Sequence, residues 1–248
     1  MNKKPEIRNK KQPTPAHALA DYFVARAGAA VAARGRFVVA LSGGSSPRQL
    51  YELLASAEYR AQMAWERVYF FFGDERNVPA DAPDSNYRMA RLALLDPLGI
   101  APNHVFAYDT RLAPAEAAAA YETQLRRFFG AEEDSPSLIF DLILLGLGDN
   151  AHTASLFPHT PVLAETAAGV RAVFLPEQQV WRLTFTAPLI NQARAVAFLV
   201  FGADKAAAVA RVRGPVRDVQ QYPAQLIAPA GGEAVWFLDE AAASGLPA

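Results

Sequence analysis

Five strand-like runs, apolar throughout except for Asp141, set the fold that this chain can adopt: Phe37–Leu41, Val68–Phe72, Phe140–Leu145, Ala195–Phe201 and Ala234–Leu238. A strand with one wet face alternates polar and apolar residues, whereas these runs do not alternate. They therefore read as strands buried on both faces of a mainly parallel sheet. Alanine-rich helical stretches lie between them, notably Ala113–Phe129 and Asp204–Arg213. Strand and helix in alternation give the α/β class, an open doubly wound sandwich of three layers. Two shorter β-like runs, Val170–Leu175 and Arg182–Thr186, are separated only by a turn-like Pro-Glu-Gln-Gln, so they are expected to pair antiparallel and make the sheet mixed.

The chain has 248 residues, enough for one sizeable α/β core. A basic tail over 1–13 followed by one domain over 14–248 is the expected organisation. Glu132–Pro136 reads as a polar loop within that domain, and the stretch Ala16–Arg34, broken by Asp21 and Arg26, is too charged for a membrane span. The tail is followed by no apolar run of the signal-peptide kind. No cysteine is present, which excludes disulfides, thiolate metal sites and a cysteine nucleophile and suits a reducing cytoplasm. Lys+Arg of 24 against Asp+Glu of 25 gives a net charge of -1, without the global basic footprint of a nucleic-acid binder. Any recognition of an anion must then be local.

Four segments carry chemistry. Ser42-Gly43-Gly44-Ser45-Ser46-Pro47 ends a buried strand and opens a helix. Such a turn is either an ordinary strand-to-helix connection or a cradle whose N–H groups and helix dipole attract a phosphate. Gly73-Asp74-Glu75-Arg76 again ends an apolar strand, where the crevice of an open α/β sheet lies, and Ser85 after it is placed to cap a helix running to Leu95. Gly146-Leu147-Gly148-Asp149-Asn150-Ala151-His152-Thr153-Ala154-Ser155-Leu156-Phe157-Pro158 sets a histidine after a glycine-rich strand end, and a neutral imidazole held by a short polar neighbour is a competent general base. Finally, Arg182 and Lys205 can add permanent cations to an anion site. No segment supplies a convincing set of metal ligands.

Taken together, the GGSSP, GDER, SNY, HTASLFP and RLTFTAPLIN stretches resemble the 6-phosphogluconolactonase family, related to the glucosamine-6-phosphate isomerase/deaminase family, over essentially Thr14 to Leu238. The resemblance implies a cofactor-free and metal-free hydrolase that opens a phosphorylated sugar lactone. It makes Gly43, Gly44, Ser45, Arg76, Arg182 and Lys205 the phosphate and sugar contacts and His152 the base that activates water. Asp74 is then expected to orient a sugar hydroxyl or the attacking water. The implied partner is a small sugar phosphate, with neither nucleic acid, membrane nor obligate protein partner. One departure stands out: where the family reads Asp-Gly-His, this chain reads Asn150-Ala151-His152. Asn150 can orient His152 through its carbonyl but cannot stabilise an imidazolium as a charge would. An isomerase/deaminase and a non-catalytic sugar-phosphate sensor are the rival readings. Against the first, no acid lies within Thr153–Pro158.

Overall fold

The structure, a computed structural model, describes residues 14–131 and 137–246. The expected tail over 1–13 and the polar loop over 132–136 lie outside the described residues. Five strands, β1 (Phe37–Leu41), β2 (Val68–Phe72), β4 (Leu142–Leu145), β7 (Ala195–Val200) and β8 (Glu233–Leu238), form one all-parallel sheet in the order β2-β1-β4-β7-β8. β1, β4 and β7 sit in its interior and are buried throughout, which accounts for their lack of alternation.

Helices cover both faces. Phe23, on the helix Pro15–Arg34, packs edge-on against Phe37 of β1. The helix Pro114–Phe129 lies on the opposite face, where its Phe128 contacts Tyr69 and Phe71 of β2. The register pairs Phe71 with Ala40, whose side chain points away from the Phe37 face. The Pro15–Arg34 helix has clear ends: Thr14 accepts the His17 N–H, Pro15 occupies the first turn, and Gly35 stops it with φ of 72°.

The two short runs do pair antiparallel, as β5 (Val170–Leu175) and β6 (Val180–Phe185). They do not extend the parallel sheet. With β3 (Asp74–Arg76) they form a separate three-stranded sheet in the order β3-β6-β5. Gly73 is the junction: its N–H donates to Leu41 O in the parallel sheet and its carbonyl accepts from Phe185 N in the antiparallel one. One strand, β2 continuing into β3, thus passes from one sheet to the other. The helix expected to run from Ser85 to Leu95 does start at a Ser85 cap, with the hydroxyl accepting from Arg88 N at 3.1 Å. It then widens into a π turn over Arg91–Leu95 and ends at Leu98.

Candidate active site

The order of strands reverses at β1: the chain leads outward from it to β2 on one side and returns to β4 on the other. Open α/β sheets bind ligands outside the carboxyl ends of their strands at such a switch point. A cleft of about 240 Å³ opens there, walled by the ends of β1, β4 and β7 together with β3. Gly43, Gly44, Ser45, Asp74, Arg76, His152 and Lys205 all line it.

On the β1 side the buried Tyr51 fixes the start of the turn. Its hydroxyl accepts from Ser42 N at 2.9 Å and donates to Ser42 O at 2.8 Å, serving both peptide groups where the strand ladder ends. Gly44 adopts φ of 105°, a conformation that a β-carbon disfavours, and the helix Ser45–Leu54 begins directly after it. The free N–H groups of that first turn border the cleft, so an anion placed there meets donors and the positive end of the helix.

Across the cleft, the loop after β4 is cross-braced by hydrogen bonds from its own backbone, from a threonine hydroxyl and from a neighbouring turn. Gly148 N donates to His152 O at 2.8 Å, Thr153 Oγ1 to Gly146 O at 2.8 Å, and Ala224 N to Ala151 O at 3.0 Å. Ala151 is buried with φ of 63°, where an L side chain costs on the order of 1 kcal/mol. The imidazole of His152 stacks on Phe157, with ring centroids 3.9 Å apart, and its opposite edge rests on Gly148, where a β-carbon would lie 2.1 Å from Nδ1.

Asn150 settles the protonation of that ring. Its Oδ1 lies 3.2 Å from the backbone N of His152 and 2.6 Å from Nδ1. Because a backbone N–H can only donate, the atom facing it is the amide oxygen, and Nδ1 must carry the hydrogen. The lone pair is then on Nε2. Burial pushes the imidazole pKa down to about 4; the Asp149 carboxylate opposes this and the cations of Arg182, Lys205 and Arg76 add to it. His152 is neutral through the physiological range.

The cations are arranged less simply than the sequence implies. Arg76 and Arg182 are direct cross-strand partners in β3 and β6, two like charges side by side. Arg76 Nη1 donates to Asp84 O and borders the cleft, whereas Arg182 stands behind it, outside the lining, with Nη2 bonded to Gln178 at 3.2 Å. Burial and the neighbouring Arg76 charge pull the Arg182 pKa down. Lys205 borders the cleft at the end of β7, its Nζ 3.2 Å from Asp204. Asn150, like Arg182, stands outside the lining, behind His152.

Glu75, beside Asp74, faces away from this chemistry. It is buried and accepts from the backbone N–H groups of Arg76, Asn86 and Tyr87, which anchors the helix starting at Asn86. Two polar residues that sequence reasoning passed over, Asn86 and Ser155, each donate to Asp74. Among the described residues no three His, Asp or Glu side chains gather as metal ligands, and no helix is long and apolar enough to cross a membrane.

Fold and site define an open α/β protein with a crevice bordered by a helix N-terminus and cations and a neutral histidine on its wall. Comparison with known proteins makes this specific. Residues 10–236 match the family described as glucosamine-6-phosphate isomerases/6-phosphogluconolactonase, and the chain belongs to that family. It is 49% identical over 220 residues to a 6-phosphogluconolactonase of Synechocystis sp., covering 88% of each chain. It is 42% identical over 228 residues to one of Nostoc sp., covering 91% of each. Among solved structures, a 6-phosphogluconolactonase from Trypanosoma cruzi superposes with a TM-score of 0.82 at 31% identity over 96% of both chains.

Proposed function

We propose that this chain is a 6-phosphogluconolactonase of the pentose phosphate pathway, hydrolysing 6-phospho-D-glucono-1,5-lactone to 6-phospho-D-gluconate. The observation that carries the reading is the His152 tautomer: a neutral imidazole with its lone pair on Nε2, on the wall of a cleft whose other side presents a helix N-terminus and cations. The relatives at 42% and 49% identity supply the reaction; the geometry supplies residues to perform it.

In this mechanism the phosphate sits at the Gly43–Ser45 turn, with Arg76 and Lys205 contributing charge and Arg182 reinforcing the field from behind. Anchoring the phosphate fixes the lactone carbonyl near His152. Nε2 takes a proton from water as the water oxygen bonds to C1. The tetrahedral intermediate then collapses, the bond between C1 and the ring oxygen breaks, and the leaving oxygen takes the proton back from Nε2. The acid product loses its own proton to solvent. Asn150 holds the imidazole in the tautomer that this cycle requires but adds no charge to the imidazolium. The ligand is a free small molecule in the cytoplasm, and neither nucleic acid nor a protein partner takes part.

An isomerase/deaminase reading is disfavoured by the stretch after His152, Thr153 to Pro158, which contains no carboxylate. The deciding experiment is a time course on freshly prepared lactone after exhaustive chelation, with spontaneous hydrolysis subtracted and glucosamine 6-phosphate run in parallel. Expected are chelator-resistant lactone hydrolysis and no ammonia release. Removing the base by His152→Ala is expected to lower turnover by roughly 10²–10⁴-fold with the fold intact. Loss of activity to the chelator with restoration by one divalent ion, or binding of the sugar phosphate without turnover, would overturn the assignment.

A further inference from the structure

Asp74 lies on the cleft wall, yet the residue is only 8% exposed and each carboxylate oxygen already accepts a hydrogen bond from the fold. Oδ2 accepts from Ser155 Oγ at 2.8 Å and Oδ1 from Asn86 Nδ2 at 3.3 Å. The same Asn86 nitrogen donates to Asp74 O at 3.0 Å, so the amide orientation is fixed by two acceptors of one residue. The other end of that amide, Oδ1, is buried without a hydrogen-bond partner and pressed against Gly43, where a β-carbon would come within 1.8 Å of it.

Each donor is itself held by the fold. Asn86 N–H is bound by Glu75 Oε1 at 2.8 Å, and Ser155 N–H by Thr184 Oγ1 at 3.1 Å. An unbroken line of contacts therefore runs from Gly43 through Asn86, Asp74 and Ser155 to the loop of His152. Its two ends are the two halves of the site.

We infer that Asp74 is a positioning residue, a buried carboxylate clamp that sets the phosphate turn and the histidine loop at a fixed separation, and that Asn86 and Ser155 are its two arms. This rests on the lactonase reading above, and it gives Asp74 a role other than moving a proton or orienting a substrate hydroxyl. Each of its oxygens is held by one donor from the fold, one on either side of the cleft. Burial is the largest influence on its pKa and raises it; Arg76, Ser155 and Arg182 oppose that only in part.

A substitution separates a clamp from a chemical group. In Asp74→Asn the side-chain oxygen can keep the Asn86 bond, and the new NH2 can donate to Ser155, whose hydroxyl both donates and accepts. Both links survive while the charge and the basicity are lost; Asp74→Ala loses both links. Expected is that Asp74→Asn stays within about tenfold of wild-type turnover, whereas a proton-transferring carboxylate would lose roughly 10²–10⁴-fold on amidation. The arms should also divide the kinetics. Asn86→Ala, which loosens Gly43, should raise KM for the phosphorylated lactone about tenfold with kcat less affected, and Ser155→Ala should lower kcat with KM less affected.

The measurement is kcat and KM for all four variants, each checked for wild-type circular dichroism. Asp74→Asn as inactive as a removed base, or Asn86→Ala and Ser155→Ala changing KM and kcat alike, would overturn the clamp. Should Asp74→Ala fail to fold, the other three variants still decide between these outcomes. A wild-type protein inert toward the lactone would instead refute the functional reading.

Discussion

Asn150 Oδ1 lies 2.6 Å from His152 Nδ1, so a neutral amide stands where a carboxylate would make an ion pair with the protonated ring. The oxygen still fixes the tautomer. It adds no negative charge, and burial, reinforced by the cations of Arg182, Lys205 and Arg76, leaves the imidazole with a pKa of about 4.

Replacing Asn150 by Asp should change that balance. A carboxylate at hydrogen-bond distance favours the protonated imidazole and raises its pKa. A base is active when deprotonated, so the acidic limb of the kcat profile of Asn150→Asp should move to higher pH. On the plateau above it turnover should equal or exceed wild type, because the stronger base is also the better proton acceptor. Initial rates of both proteins in the same buffers, corrected for background hydrolysis, test this. An unmoved limb would break the link between position 150 and the base.

The cations predict substrate discrimination. Arg76→Ala or Lys205→Ala should weaken use of the phosphorylated lactone by about 1.5–3 kcal/mol, the contribution of a hydrogen bond to a charged group. The unphosphorylated lactone should be affected far less. Comparable losses of kcat/KM on the two substrates would take these residues out of the phosphate site.

Gly148 predicts a steric effect. A methyl group there would sit 2.1 Å from both Cε1 and Nδ1 of His152, so Gly148→Ala must push the ring off Phe157 or off Asn150. Turnover should fall by at least tenfold, a small part of a positioned base's usual contribution of roughly 10²–10⁴-fold. Thermal unfolding and a kinetic assay on the same preparation check this, the expectation being a greater loss in rate than in stability.

The depressed His152 pKa also predicts an acid-dependent stability. Between about 4 and the ordinary value of 6.5 the unfolded chain binds a proton that the folded protein does not, so this residue's contribution is complete above the upper value and is lost as pH falls toward the lower. His152→Gln lacks this titration. The difference in unfolding free energy between wild type and His152→Gln should therefore be flat above pH 7 and shift against wild type on acidification. Parallel denaturant curves from pH 4 to 8 measure it.

The parallel core was legible because β1 and β2 are continuous apolar runs bounded by Gly and charged residues, and their ends match the sequence reading. β4 starts at Leu142 rather than Phe140, since the Asp141 carboxylate is drawn into bonds with Val38 N and Arg34. The glycine turn, Arg76, Lys205 and His152 could be proposed from local chemistry, each following a strand. What could not be read is whatever depends on the register of β3 against β6. That register sets Arg182 beside Arg76, and it brings Thr184 opposite Asp74, where the Thr184 hydroxyl holds Ser155. Local pattern names the strands but not their alignment.

The passage of one strand between two sheets at Gly73 bears on how the protein reaches its working state. Local helices and the β1–β2 pair can form early, but the β3–β6 pairing joins residues far apart in the chain and closes a long loop, a slow step in folding. Asp74 and Arg76 reach their places only with that closure. During refolding, recovery of helical signal should therefore precede recovery of the assembled cleft, and the rate of regained activity reports the docking of the small sheet onto the large one.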